Sequence, residues 1–218
     1  MLDYVGFSWL AKGKNITILV QTMRGGRKLY KLVSTLEEGT LFHSIWMEAW
    51  MEKGFEPEFA DDVLGRCLVY DTSGVPVGTV EFKPYAPQTD EPLNDLAPFD
   101  DHPAILVSSP GEIAEVDKVA LLRRYRGRNL NRLLATIVLF AQQNGIRHYV
   151  TLLEPTLFRA LRISFHVPMT QVGERRFYKG DDVVPAIIHV AEFYENPERY
   201  VWYVDTLESL NQETVLST

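Results

Sequence analysis

Apolar and polar positions along this chain switch between a period of two and a period near 3.6, and each switch predicts an element. Residues 15–22 are β-branched and read as a strand. A glycine turn with three cations follows, Arg24-Gly25-Gly26-Arg27-Lys28. Leu29, Leu32, Val33 and Leu36 then recur at helical spacing until Gly39 interrupts. A second helical stretch carries Phe42, Ile45, Trp46 and Trp50 on one stripe and closes at Gly54. Aromatics at that spacing are expected to be core. Residues 65–71 and 75–84 form a hairpin around Thr72-Ser73-Gly74.

Residues 85–110 hold five prolines and five acidic residues and no period, so they are expected to be a long loop. Loops of that length are uncommon in compact domains; this one is a candidate substrate lid or a solvated surface excursion. Residues 112–122 read as a strand and 129–143 as a helix with Leu130, Leu133, Leu134, Ile137, Val138 and Ala141 on its apolar face. Asn144-Gly145 supplies its stop. A strand at 146–153 and a helix opened by Pro155 and running to about Ile163 follow. Residues 185–193 and 199–205 are two more strand candidates. Strands and helices do not alternate as βαβ units, so the expected class is α+β, with a mixed, mostly antiparallel central sheet.

A length of 218 residues suits one domain with a sizeable core, here residues 1–218, with 1–40 as an N-terminal extension of unclear role. The net charge of -7 excludes a general nucleic-acid binder but permits a local basic patch. Cys67 is the only cysteine, which excludes an internal disulfide and fits a reducing compartment. Its apolar neighbours make it a core residue before a nucleophile. Neither a signal-peptide pattern nor an apolar run of about 20 residues occurs, so a soluble, cytoplasmic protein without a membrane span is expected.

The chemistry concentrates in RRYRGRNLNRLL, residues 123–134. A strand runs into a basic turn, and the turn opens a helix whose first N–H groups have no intrahelical partner. Those N–H groups and the helix dipole bind anions, phosphates above all. Arg123, Arg124, Arg126, Arg128 and Arg132 add positive charge. A solvated basic surface would show the same pattern. The five histidines, His43, His102, His148, His166 and His189, show no metal-ligand spacing, so no metal is expected. A Gly-x-Ser-x-Gly elbow is absent, and Arg24–Lys28 is too short for a P-loop.

The run EVDKVALLRRYRGRNLNRLLATIVLFAQQNGI resembles the acyl-donor motif of the GNAT N-acyltransferase superfamily. Its core signature, Arg/Gln-x-x-Gly-x-Gly/Ala, maps onto Arg126-Gly127-Arg128-Asn129-Leu130-Asn131, with asparagine at both signature glycines. Asparagine tolerates left-handed backbone better than other non-glycine residues. The element order is similar as well and implies a three-layer α/β/α fold. In RALRISFHV, Ser164-Phe165 takes the family's Gly-Phe place and Ala160 takes the place of its tyrosine acid. Two features are similar to the acyl-homoserine-lactone (autoinducer) synthases and long-chain N-acyl amino acid synthases: Val77-Gly78-Thr79 in the hairpin, and Glu115-Val116-Asp117-Lys118 where that branch has Glu-x-x-Arg. The lactone synthases' arginines are incomplete, so an amino acid or other amine suits the acceptor better than S-adenosylmethionine. The resemblance spans residues 43–190.

That resemblance implies an N-acyltransferase using acyl-CoA or acyl-phosphopantetheine as donor, a small amine as acceptor, and acyl carrier protein as a possible partner. Backbone at Val119, Ala120 and Leu121 would bond the pantetheine arm, with Arg126, Gly127, Arg128, Asn129, Leu130 and Asn131 holding its phosphate. Glu115 is the candidate base and Lys118 a substrate or phosphopantetheine contact. Strand alternation separates Glu115 and Asp117 from Ala114, Val116 and Lys118, so Glu115 and Lys118 share a face only across a bulge. The rival readings are an ordinary acetyl-CoA-dependent N-acetyltransferase and an inactive GNAT-fold binding module.

Overall fold

The computed structural model describes residues 28–87 and 92–215. The strand expected at 15–22 and most of the Arg24–Lys28 turn lie outside them. Eight strands make up the sheet: β1 (Tyr30–Leu32), β2 (Gly65–Tyr70), β3 (Pro76–Pro84), β4 (Ile113–Leu121), β5 (His148–Leu153), β6 (Met169–Gln171), β7 (Arg176–Tyr178) and β8 (Asp181–Ile188). Their spatial order is β1-β2-β3-β4-β5-β8-β6, with β7 also pairing with β8. Every pairing is antiparallel except β4 with β5. The helices are α1 (Leu36–Met51), α2 (Pro103–Leu106), α3 (Leu130–Asn144), α4 (Pro155–Ser164), α5 (Ala191–Glu195) and α6 (Val201–Val215).

Strand alternation sorts the core into layers. Cys67, Val69, Tyr149, Ala186 and Ile188 face α3, together with Leu161, Phe193 and Tyr203 from the later helices. On the opposite face Leu68, Ala120 and Leu122 pack against Phe42, Ile45 and Trp46 of α1. Farther along that face, Ile113, Val150 and Ile187 are covered by Leu93, Ala97, Phe99 and Ile105. The expected α+β sandwich is therefore present, and the proline-rich segment forms part of its outer layer. It is no solvated excursion: Phe99 and Ile105 are fully buried.

Other expectations need correction. Residues 29–33 do not begin a helix. Tyr30–Leu32 pairs with β2, and Val33 N donates to Arg66 O at 2.8 Å, so inter-strand bonding overrides a chance helical spacing. Helix α1 starts only after Thr35, which forms a capping box with Glu38. Gly39 lies inside that helix. The stretch 199–205 is also not a strand. Its valines and aromatics favour strands on propensity, yet Tyr200, Tyr203, Thr206 and Leu207 are buried at helical spacing, and α6 packs on α3. The last long strand is Asp181–Ile188, ending before the expected 193, and short strands β6 and β7 had no legible period.

Candidate functional site

β4 and β5 pair over only Ile113–His148, Ala114–Tyr149 and Glu115–Val150. Thr151 Oγ1 donates to Val116 O at 3.0 Å where they part. Beyond that point β4 keeps β3 on one side and loses its partner on the other. The fork opens into a cleft of about 450 Å³. Val116, Val119, Leu130, Leu133, Leu153 and Leu157 give it an aliphatic lining, while Lys83, Glu115, Asp117, Lys118, Arg126 and Glu154 bring charge to it. The same six aliphatic residues also border an apolar cavity of about 30 Å³, closed by Leu134, Ile137, Val138, Leu161, Phe193 and Trp202.

The bulge that would let Glu115 and Lys118 share a face is present. Thr79 pairs with Ala120 and Glu81 with Asp117, so Lys118 and Val119 together oppose Val80. Lys118 takes the left-handed φ of 46°. The face of β4 changes parity across it: Ala114 and Val116 pack toward α3, but Ala120 packs toward α1. Lys118 thereby joins Asp117 on the α1 face. Its ammonium lies 5.4 Å from the Trp46 ring centre and pairs with Glu81.

A ladder of alternating charge crosses three strands here. Arg66 Nε bonds Glu81 Oε2 at 2.6 Å, and Glu81 pairs with Lys118. Lys118 lies 3.5 Å from Asp117 Oδ2, Asp117 accepts from Lys83 at 2.9 Å, and Lys83 reaches Glu115 Oε1 at 2.6 Å. Glu81 and Lys118 are 0% and 1% exposed, so each charge depends on its neighbours. Burial pushes the Asp117 carboxyl up, but Lys83 and Lys118 outweigh it and hold it below its ordinary pKa. Burial likewise lowers Lys83, yet Asp117 and Glu115 leave it raised. Glu115 ends the ladder at the cleft, which Lys83, Asp117 and Lys118 also line.

The basic turn divides by role. Arg132 is buried: its Nε donates to Tyr70 O at 2.5 Å and its Nη2 to Lys28 O at 3.0 Å, tying α3 to the sheet. Arg123, Arg124 and Arg128 are exposed. Arg126 Nε donates to Leu121 O at 3.1 Å, and its two terminal nitrogens reach Glu52 at 3.4 and 3.0 Å. Gly127, at φ 82°, supplies the left-handed step, and a Cβ there would meet nothing within 4 Å. Asn129 does not: its φ is -110°, and its amide donates to Tyr125 O at 3.0 Å. Asn131 lies within α3. Neither asparagine replaces a glycine for backbone reasons, and Asn129 leaves the start of α3 without a side-chain cap. Its first N–H groups remain available to an anion beside Arg126 and Gly127.

The β7–β8 turn closes one side of the cleft. Glu56 N donates to Lys179 O at 3.0 Å, and Lys179 pairs with Glu58. Gly180 permits this approach, since a Cβ there would lie 2.1 Å from Gly54 O. Phe55, Glu58, Tyr178 and Lys179 all line the cleft.

Residues 33–179 match the model of the acetyltransferase (GNAT) family. The chain belongs to that family. By this membership it is an acyltransferase, and the forked β4–β5 pair is its candidate site. The GNAT fold is also seen in the structural neighbours. FeeM, an N-acyl amino acid synthase from uncultured soil microbes, aligns with a TM-score of 0.58 and 14% identity over 78% of this chain and 94% of its own. MesI, a CoA-dependent acyl-homoserine lactone synthase, aligns at 0.51 and 15% over 74% and 88%. A putative N-acetyltransferase from Lactobacillus plantarum aligns at 0.52 and 16% over 74% and 99%. No curated protein matches the sequence.

Of the residues expected to form the site, Val119, Ala120, Leu121, Arg126, Gly127 and Leu130 line the cleft with Glu115 and Lys118, whereas Arg128, Asn129 and Asn131 do not. Ala160, the position expected to correspond to a tyrosine acid, lines it too. Sequence reading missed Lys83, Glu81, Glu154, Glu58, Tyr178 and Lys179, whose roles arise from pairing across strands and loops. Cys67 is fully buried, and burial pushes its thiol up, as suits a core residue. His148 and His189 meet at 3.2 Å away from the cleft. Among the described residues no group of three or more His, Cys, Asp or Glu could hold a metal, and no helix is long and apolar enough to cross a membrane.

Proposed function

We propose that this GNAT protein transfers an acyl chain longer than acetyl from a phosphopantetheine thioester, carried by acyl carrier protein or coenzyme A, to the amine of a small molecule such as an amino acid. The observation that carries this reading is the aliphatic cleft in the β4–β5 fork, which shares its wall at Val119 and Leu133 with a small apolar cavity. An acetyl group would leave that lining unfilled. The fold shared with an N-acyl amino acid synthase is in keeping with it. The free edge of β4 at residues 119–121 takes the pantetheine amides as an added strand would. The uncapped start of α3, Gly127 and Arg126 take the phosphate.

In the reaction the acceptor arrives as an ammonium and loses one proton to Glu115, because the protonated amine has no lone pair. Before then Glu115 Oε1 is paired with Lys83 Nζ at 2.6 Å. The amine attacks the thioester carbonyl, a C–N bond forms, and the carbonyl oxygen gains charge that a β4 backbone N–H near Leu121 stabilises. Collapse breaks the C–S bond. The second amine proton goes to the departing thiolate, directly or through water, since Ala160 offers no acid. Lys118 orders the ladder through Glu81 and Asp117.

The test is turnover of acetyl-, octanoyl- and palmitoyl-coenzyme A and the matching acyl carrier proteins with pooled amino acids, read by thiol release and product mass. Long-chain transfer is expected. Acetyl-only transfer supports an ordinary N-acetyltransferase, and thioester binding without transfer supports an inactive module; either overturns this reading. Glu115→Gln is expected to slow transfer at least tenfold while sparing donor affinity; an unchanged rate across pH removes Glu115 as the base.

A further inference from the structure

Helix α1 ends at Met51 with no basic residue in its last turn, and its C-cap is a carboxylate, Glu52. The dipole makes that end of a helix unfavourable for an anion, so Glu52 does not serve the helix. Its oxygens lie between two arginines instead: 3.4 and 3.0 Å from the terminal nitrogens of Arg126, and 3.5 Å from Arg123 Nη1. Arg126 is fixed at its other nitrogen by Leu121 O, so Glu52 occupies the two-pronged face that a phosphate would grip. A donor phosphate must either displace this carboxylate or share Arg126 with it. In both cases the penalty grows with the charge that the donor brings.

We infer that Glu52 is a specificity-determining residue that disfavours the densely charged end of coenzyme A relative to the single phosphate of a phosphopantetheine arm. This rests on the thioester-donor reading above. Coenzyme A carries a diphosphate and a further phosphate monoester, roughly three to four negative charges at neutral pH, against about two for free 4′-phosphopantetheine and one for the arm on a carrier protein. At a partly exposed site the repulsion is moderate and is screened by salt.

The experiment is titration calorimetry of the full chain, wild type and Glu52→Gln, with coenzyme A and with 4′-phosphopantetheine, at low and at 0.5 M salt, and with Glu52→Ala as a second variant. The expected result is coenzyme A binding about tenfold tighter in both variants, a change under threefold for 4′-phosphopantetheine, and a coenzyme A gain that shrinks in high salt. Unchanged or weaker coenzyme A binding in the variants overturns the inference and makes Glu52 a holder of Arg126; the donor reading then survives if wild type binds either probe. Wild type binding neither probe overturns the donor reading, and this inference with it.

Discussion

Replacing Lys118 by Met keeps an unbranched side chain and the backbone at φ 46° but removes one cation from a ladder of Arg66, Lys118 and Lys83 against Glu81, Asp117 and Glu115. One carboxylate charge is then uncompensated where Glu81 is fully buried. Removing one partner of a buried pair costs about 3–5 kcal/mol. Glu81 retains Arg66 and Asp117 retains Lys83, so the lower end, about 3 kcal/mol, is expected. Loss of the cation over Trp46 adds about 0.5–1 kcal/mol. Against a domain stability of roughly 5–15 kcal/mol this is a large effect. Urea unfolding followed by tryptophan fluorescence reads it as a lower midpoint at constant slope. Glu81→Gln added to Lys118→Met restores the balance of charge, and the double variant is expected to be at least about 1.5 kcal/mol more stable than the sum of the single effects. A single-variant cost under about 1 kcal/mol, or strict additivity, would refute the ladder as an interdependent unit.

The two inward-reaching arginines of the basic turn are expected to separate. Arg132→Met should cost about 1–3 kcal/mol in urea unfolding by removing the buried guanidinium's bonds to the carbonyls of Tyr70 and Lys28 while changing donor affinity less than twofold; Arg126→Ala should weaken donor binding about tenfold at little cost in stability. Val119→Phe, which fills the boundary between cleft and cavity, should lower the octanoyl-to-acetyl rate ratio at least tenfold, and an unchanged ratio would place the acyl chain elsewhere. Burial, with His189 and Arg147 nearby, pushes the His148 pKa down to about 4. The unfolded chain, near 6.5, binds the proton more readily, so this contribution to stability is complete above pH 6.5 and is lost as pH falls from 6.5 toward 4. For a half-buried ring the loss is about 1–3 kcal/mol; urea midpoints at pH 7.5 and 5 should fall less for His148→Gln than for the parent, and an equal fall contradicts the assignment.

Strand β4, the basic turn and α3 were legible because each is specified by residues close in sequence: an apolar strand, a glycine at the turn, a helical stripe and an Asn-Gly stop. The bulge was legible only as a condition. Whether Lys118 turns outward depends on how β4 registers against β3, which the residues of β4 alone do not set. Asn129 shows the reverse error. Its type suggested left-handed backbone, yet the turn needs that conformation only at Gly127, and the asparagine amide serves Tyr125 O. Helix α6 was misread for the same kind of reason, since local strand propensity is outweighed by burying Tyr203 and Leu207 with α3. Lys83, Glu154 and Lys179 reach the cleft from a hairpin, a strand end and a β-turn, and no single stretch of sequence announces that convergence.

The most direct test is a crystal structure with a non-hydrolysable octanoyl thioether of phosphopantetheine or coenzyme A. The pantetheine arm is expected along residues 119–121 of β4, its phosphate beside Arg126 and Gly127, and the octanoyl tail between Val119, Leu133 and Leu157. Binding with the tail outside the β4–β5 fork, or no binding at millimolar donor, would contradict that expectation.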